Sequence, residues 1–395
     1  MNSQLSSRVK AVKPSPTLAV TARAAEMRAA GKDVIGLGAG EPDFDTPDHI
    51  KAAAIQAIND GFTKYTAVDG TPALKQAIIA KFQRDNGFDY APEQILVSCG
   101  GKQSFYNLAQ AVLDPGDEVI IPAPYWVSYP DMSILAGGVP VLVSAGASQK
   151  FKINAQQLAA AITDKTKLFV INSPSNPTGM AYTADELAAL GEVLRDHPRV
   201  LIATDDMYEH ILWPGNEFVN ILNVCPDLKE RTLVLNGVSK AYSMTGWRIG
   251  YAGGPVEIIK AMKKIQSQST SNPTSISQVA AQAALEGSQE CITEMLTAFK
   301  QRHDYVVERL NGMDGIDCLP SDGTFYCFPN VEGALAKLST VKNDLEFSEY
   351  LITEAGVALV PGTAFGLSGH VRISIATSMQ NLEKALDRIE QVLKA

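Results

Sequence analysis

The apolar residues of this chain fall into short blocks separated by stretches of longer period. Ile95-Leu-Val-Ser98, Val119-Ile-Ile121, Val139-Pro-Val-Leu-Val143, Leu168-Phe-Val-Ile171, Val200-Leu-Ile-Ala203, Thr232-Leu-Val-Leu-Asn236 and Ile249-Gly-Tyr-Ala252 have strand length and strand composition. Between some of them the period becomes helical. Phe105, Leu108, Ala109 and Val112 share one face, and Ala184 to Arg195 reads as another helix. Thr71-Pro72 starts a helix, with a capping hydroxyl ahead of a proline at the first helical position. Such alternation predicts an α/β fold, a mostly parallel sheet with helices on both faces.

The two ends of the chain depart from this rhythm. Residues 1–14 read as an extended polar arm, followed by a helix from Leu18 to Ala30 that Gly31 closes. After Asn272-Pro273 one long helical region is expected as far as about Leu310, where Asn311-Gly312 breaks it. Gly323-Thr-Phe-Tyr-Cys-Phe328 then begins the strands and helices of a smaller α+β unit. A closing helix starts at Ser378 and puts Leu382, Ala385, Leu386, Ile389, Val392 and Leu393 on one face.

In open sheets of this kind ligands sit outside the carboxyl ends of the strands. Polar residues fall there repeatedly: Gly100 and Gly101, Asn176, Asp205, then Ser239 and Lys240. Their recurrence predicts one site. Gly36-x-Gly38-x-Gly40 lacks the third glycine and the directly following helix of a dinucleotide fingerprint. It reads instead as backbone kept bare for the close approach of a ligand.

At 395 residues, two domains are expected, and 46% hydrophobic with 19% charged residues suits a soluble globular protein. The net charge of -9 argues against nucleic-acid and anionic-membrane partners. No apolar run approaches transmembrane length and the N-terminus has no signal-peptide core, so a cytoplasmic location is expected. Five scattered cysteines suit free thiols in a reducing compartment, and the dispersed histidines point to no metal site.

The chemistry concentrates in Gly237-Val-Ser-Lys-Ala-Tyr-Ser-Met-Thr-Gly-Trp-Arg-Ile-Gly250. Lys240 lies in a connection between two buried strands, where partial desolvation frees its amine to attack a carbonyl. Arg248 offers a fixed cation for a phosphate, and Ser239 a hydroxyl. An amine beside a phosphate clamp suits covalent attachment of pyridoxal 5'-phosphate. Gly100-Gly-Lys102 at a helix start looks like an anion seat. Asp205, at a strand end, suits a partner for the cofactor's protonated pyridine nitrogen, with Tyr208 and Asn176 near the ring's phenolic oxygen. Trp126 offers a flat face to stack on a ring. Arg372, in the strand-like run His370-Val-Arg-Ile-Ser-Ile375, would be costly unpaired, and a substrate carboxylate would satisfy it.

Asn176-Pro-Thr-Gly179, Asp205-x-x-Tyr208, Ser239-Lys240, Gly246-x-Arg248 and Arg372 occur in the order found in the fold-type I, class I pyridoxal-phosphate aminotransferases, which the chain resembles over nearly its whole length. Gly40-Glu-Pro-Asp-Phe44, Gly101-Lys-Gln103, Pro124-Tyr-Trp-Val-Ser-Tyr129 and Gln268-Ser-Thr-Ser-Asn-Pro273 resemble more specifically the bacterial subgroup Ib aspartate aminotransferases, while Ser104, Thr274 and Ser275 depart from close relatives. The resemblance implies a large cofactor-binding domain over 46–299, a small domain from 15–45 and 300–395, and the arm 1–14. It implies a homodimer with interface active sites, Tyr65 reaching the partner's cofactor phosphate. Lys240 would carry the cofactor and move the proton between Cα and C4′. Arg372 would clamp the α-carboxylate, Lys102 the distal carboxylate, and Gly40, Trp126 and Asn176 would border the substrate. The expected reaction is L-aspartate plus 2-oxoglutarate giving oxaloacetate plus L-glutamate. Aromatic amino acids, prephenate or arogenate, alanine, and β-elimination stay open as alternatives. So does a cofactor-binding regulatory module, against which the acidic balance and the short preceding arm count. A nicotinamide dehydrogenase fails on the glycine spacing.

Overall fold

The structure, a computed structural model, describes residues 4–338 and 340–394. In chain order the strands are β1 (Ile35–Gly36), β2 (Ile95–Ser98), β3 (Glu118–Ala123), β4 (Val139–Ser144), β5 (Thr166–Asn172), β6 (Leu201–Asp205) and β7 (Thr232–Gly237). They continue with β8 (Gly250–Gly253), β9 (Tyr326–Cys327), β10 (Val357–Ala358), β11 (Val360–Pro361) and β12 (Val371–Ser374). All seven apolar blocks became strands of one sheet, ordered β2-β8-β7-β6-β5-β3-β4. Only β8 runs antiparallel to its neighbours, so the sheet is mostly parallel as expected.

Successive residues of a strand feed opposite layers. Phe169 and Ile171 pack with Ile78, Phe82 and Ile202 on one face, while Leu168 and Val170 pack with Phe105, Leu108 and Leu235 on the other. Burial on both faces explains the continuous apolar blocks, since neither set of side chains reaches water. Each such residue contributes about 1.5–3 kcal/mol relative to an exposed position. β4 is the exception at the sheet edge, where Val139 and Leu142 stay exposed.

The remaining strands make two small sheets, β1 parallel to β10 and an antiparallel set in the order β11-β12-β9. They share a third apolar core that joins Ile35 and Leu37 to Phe299, Val306, Leu310, Phe325, Ile373, Leu386 and Ile389. Residues from both ends of the chain therefore meet there. The closing helix, Met379–Lys394, buries Leu382, Ala385, Leu386 and Ile389 of its predicted face.

Two expectations need correction. The arm is not wholly extended: Ser7–Ala11 forms a short exposed helix, with the Ser6 hydroxyl accepting from the Val9 N–H. Residues 1–3 of the arm lie outside the described residues. The long helical region is two helices, Ser275–Glu286 and Glu290–Asn311. Gln289 ends the first by donating its side-chain amide to the carbonyls of Ala284 and Gly287 at 3.1 and 2.8 Å. The second helix passes through the expected boundary at residue 300, with Ile292 in a sheet core and Phe299 in the third core. All five cysteines are free. Among the described residues no helix is long and apolar enough to cross a membrane.

Candidate functional site

Close backbone packing shapes the loop between β7 and β8. A Cβ on Gly237 would stand 3.0 Å from the Ile249 carbonyl, and one on Gly250 would overlap the Gly100–Gly101 backbone. The loop is pinned from outside by the Trp247 indole, which donates to the Thr46 hydroxyl at 2.9 Å, and by Thr46, which donates to the Ser243 carbonyl at 2.7 Å. This fixes Ser239 and Lys240 beside a cavity of about 240 Å3 at the carboxyl ends of β5, β6 and β7.

The Lys240 amine donates to the Gly40 carbonyl at 2.5 Å and has no carboxylate in ion-pair contact among the described residues. Burial foremost, then the like charge of Arg372, pulls its pKa from 10.5 to about 8. The partial desolvation expected at this position is present, and it favours the neutral amine.

One wall of the cavity favours an anion. Gly100, at φ +91°, turns the chain from β2 into the helix Gly101–Val112, whose first residues line the cavity. Arg248 stays in the left-handed region at φ +58° and lays its guanidinium against Gly100, where a Cβ would overlap it. It donates to the carbonyls of Thr245 and Cys99 at 2.8 and 3.2 Å, and no carboxylate pairs with it among the described residues. A helix N-terminus, a guanidinium and the buried Ser239 hydroxyl all border this space.

Asp205 closes β6 and faces the cavity. Its carboxylate accepts from the Tyr129 hydroxyl at 2.5 Å and from the Met207 N–H at 3.3 Å. Burial raises its pKa, because no cation touches it among the described residues. Three residues on, the Tyr208 hydroxyl shares a hydrogen bond of 2.9 Å with that of Tyr326. Burial keeps the Tyr208 phenol far above its usual range.

Arg372 comes from β12 and is 2% exposed. Its two terminal nitrogens donate to the Asn176 side-chain carbonyl at 2.8 Å and the Gly38 carbonyl at 2.7 Å. Its Nε has no partner, and no carboxylate pairs with it among the described residues. The guanidinium carbon lies 4.4 and 4.9 Å from the ring centres of Tyr326 and Phe365. A buried guanidinium held by aromatic faces and neutral carbonyls keeps its charge available for an anionic ligand.

Twelve of the thirteen candidate positions meet around this space. Gly40, Gly101, Lys102, Trp126, Asn176, Asp205, Tyr208, Ser239, Lys240, Arg248 and Arg372 line it, and Gly100 stands directly behind Arg248. Lys102 is exposed, its ammonium 5.3 Å from the Trp126 ring centre. Tyr65 is set apart, 91% exposed and outside the cavity lining. Bare backbone at Gly40 serves the protein itself, since a Cβ there would stand 2.8 Å from the Tyr326 hydroxyl.

Sequence reasoning gave no role to Tyr129, Tyr326 or the Gly38 carbonyl. A tyrosine inside an apolar run reads as core, and only its polar tip signals otherwise. Tyr326 lies 118 residues from Tyr208, so nothing local announces the pair.

The profile of the family "Aminotransferase class I and II" matches residues 32–389. An aspartate/prephenate aminotransferase of Nitrosomonas europaea is 61% identical, covering 99% of this chain and 100% of the relative. One of Cereibacter sphaeroides is 57% identical, with 98% of each covered. The crystal structure of the aspartate aminotransferase from Rhizobium meliloti superposes with a TM-score of 0.96 at 52% identity, covering 99% of both chains. The chain belongs to the class I and II aminotransferase family, and amino-group transfer is its activity.

Proposed function

We propose that this aminotransferase uses pyridoxal 5'-phosphate to exchange amino groups between L-aspartate and 2-oxoglutarate. The observation that carries the proposal is one cavity holding a half-buried amine of pKa about 8 and a buried guanidinium without a carboxylate partner among the described residues. The donor set fits the cofactor. The Gly101 helix start, Ser239 and Arg248 would take its phosphate, Asp205 its ring nitrogen, and Tyr208 with the free Asn176 amide its phenolic oxygen. Trp126 would cover the ring face, and Gly100 leaves Arg248 its place. When bound, the cofactor supplies an aldehyde that exchanges amino groups and a cationic ring that draws electrons from the substrate Cα.

The chain's own residues do the rest. Lys240 would anchor the cofactor and carry a proton between the substrate Cα and C4′. Asp205 would hold the ring proton, because desolvation raises the pKa of a carboxylate that no cation touches among the described residues. Arg372 clamps the α-carboxylate, its orientation set by Asn176 and Gly38. Lys102, beside Trp126, meets the distal carboxylate. Prephenate is a second amino acceptor, favoured by the Nitrosomonas and Cereibacter relatives named for both substrates.

A homodimer belongs to the proposal. Tyr65 is exposed away from its own cavity, and Ile55, Ile58 and Phe62 leave apolar surface on the same helix and loop for a partner to cover. The third core supports treating 15–45 and 300–395 as a small domain and 46–299 as the large one, joined through the helix Glu290–Asn311. A panel of amino donors against 2-oxoglutarate, oxaloacetate and prephenate tests the substrate assignment. Aspartate with 2-oxoglutarate should lead. A clear preference for aromatic donors or alanine would overturn it.

A further inference from the structure

Tyr326 is the buried hydroxyl in the cavity to which the reaction above gives no task. It is 0% exposed to bulk solvent yet lines the cavity. Its hydroxyl has one protein partner, Tyr208 at 2.9 Å, and Tyr208 has no other among the described residues. Two phenols carry two protons, and only one proton fits between the two oxygens. The second needs an acceptor that the described residues do not supply. Both tyrosines line the cavity, which leaves whatever fills it as the acceptor for that proton.

The choice between the two phenols follows from Arg372. Its guanidinium stacks on the Tyr326 ring at 4.4 Å. Burial raises both phenols, Tyr208 the further, and Arg372 offsets part of the rise at each, but only the Tyr326 ring carries its guanidinium in contact. The more acidic phenol is the better donor, which makes Tyr208 the acceptor within the pair. The contact also joins distant parts of the fold, since Tyr326 lies on β9, hydrogen-bonded to β12, and Tyr208 follows β6.

We propose that Tyr326 is a positioning residue: by donating to Tyr208 it sends the Tyr208 proton into the cavity, toward the phenolic oxygen of the cofactor ring. This rests on the cofactor assignment made above. Gly40 is the glycine that leaves room for the donating hydroxyl.

The test is a spectroscopic pH titration of bound pyridoxal 5'-phosphate in wild-type protein, Tyr326→Phe, Tyr208→Phe and the double variant. Phenylalanine keeps the ring on Arg372 and removes only the hydroxyl. A donor aimed at an oxygen favours its deprotonated form, so Tyr208→Phe should raise the midpoint by about one pH unit and Tyr326→Phe by about half a unit. In the Tyr208→Phe background, Tyr326→Phe should add nothing, because its effect passes through that hydroxyl. An unchanged midpoint in Tyr326→Phe, or an equal shift in both backgrounds, would overturn the inference. Tyr326→Leu gives an independent check: the same midpoint shift, with a raised KM for the amino donor that Tyr326→Phe lacks. Wild-type protein that takes up no cofactor would instead defeat the assignment beneath it, and the inference with it.

Discussion

Two polar regions share the segment Asp205–His210, one around the buried Lys81 and the other around the half-buried Lys240. In the first, Lys81 has no solvent exposure and pairs with Glu209. It also donates to Asn86 at 2.8 Å, while Asn86 and Asn236 each donate to Glu209 at 2.7 Å. Burial pushes the Glu209 carboxyl up, but Lys81 first, then His210 and Asn86, bring it below its ordinary value. In the second region Lys240 has only a carbonyl, Asp205 touches no cation, and Arg372 no carboxylate among the described residues. Lys81 and Glu209 are buried, Lys240 and Asp205 half-buried. The two regions differ in pairing.

That difference separates structure from chemistry. A buried charge with its partner and hydrogen bonds in place holds the fold in register and is inert. A buried charge without them has a displaced pKa and a vacancy for a ligand of opposite sign. The contrast also disposes of Asp85, Glu209 and His210, whose potential ligand atoms lie within 4.8 Å of one another. Lys81 and Arg84 already neutralise those carboxylates, so the group belongs with the paired region.

Substitutions at the two lysines should have opposite signatures. Lys240→Ala should lower turnover by at least about 10^4-fold, since it removes both anchor and proton carrier. Its thermal midpoint should match or exceed that of the wild type, because a desolvated amine without a carboxylate partner among the described residues is lost. Lys81→Met should do the reverse, costing about 3–5 kcal/mol in urea unfolding by stranding Glu209, with turnover of the folded protein nearly intact. Comparable activity losses in both variants would erase the distinction.

Arg372→Lys comes next in size. It keeps the charge but loses the fork geometry, and kcat/KM for amino donors should fall by about 10^2-fold, mostly through KM. A fall below threefold would remove the clamp role. The smallest effect is in pH. Uptake of pyridoxal 5'-phosphate by the apoprotein should rise with pH and level near about 8, the pKa of Lys240. An ordinary lysine would carry the rise toward 10.5. Because the folded value lies below the unfolded one, the unfolded chain binds the extra proton between them. Stability from this amine is therefore gained as pH rises from about 8 to 10.5.

The sheet and the strand-end residues were legible for one reason: strands buried on both faces leave uninterrupted apolar blocks, and the chemistry follows each block directly. Asp205, Ser239 and Lys240 were found that way. The opposite wall was less legible. Tyr326 and Gly38 come from segments far apart in the chain, and the approach of two buried side chains leaves no local period to read. Lys81 was invisible for a related reason, since a lysine on an amphipathic helix reads as solvated until Glu209, 128 positions on, is folded against it. The helix break at Gly287 was missed because apolar residues continue at helical spacing on both sides, through Ala284 and Leu285 and again from Ile292. The side chain of Gln289, not the period, ends the first helix.

The most direct measurement is borohydride reduction of the protein incubated with pyridoxal 5'-phosphate, followed by peptide mapping of every lysine. One adduct per chain, on Lys240, with Lys81 untouched, is the predicted result. No adduct, or a modification spread over other lysines with Lys240 free, would contradict it.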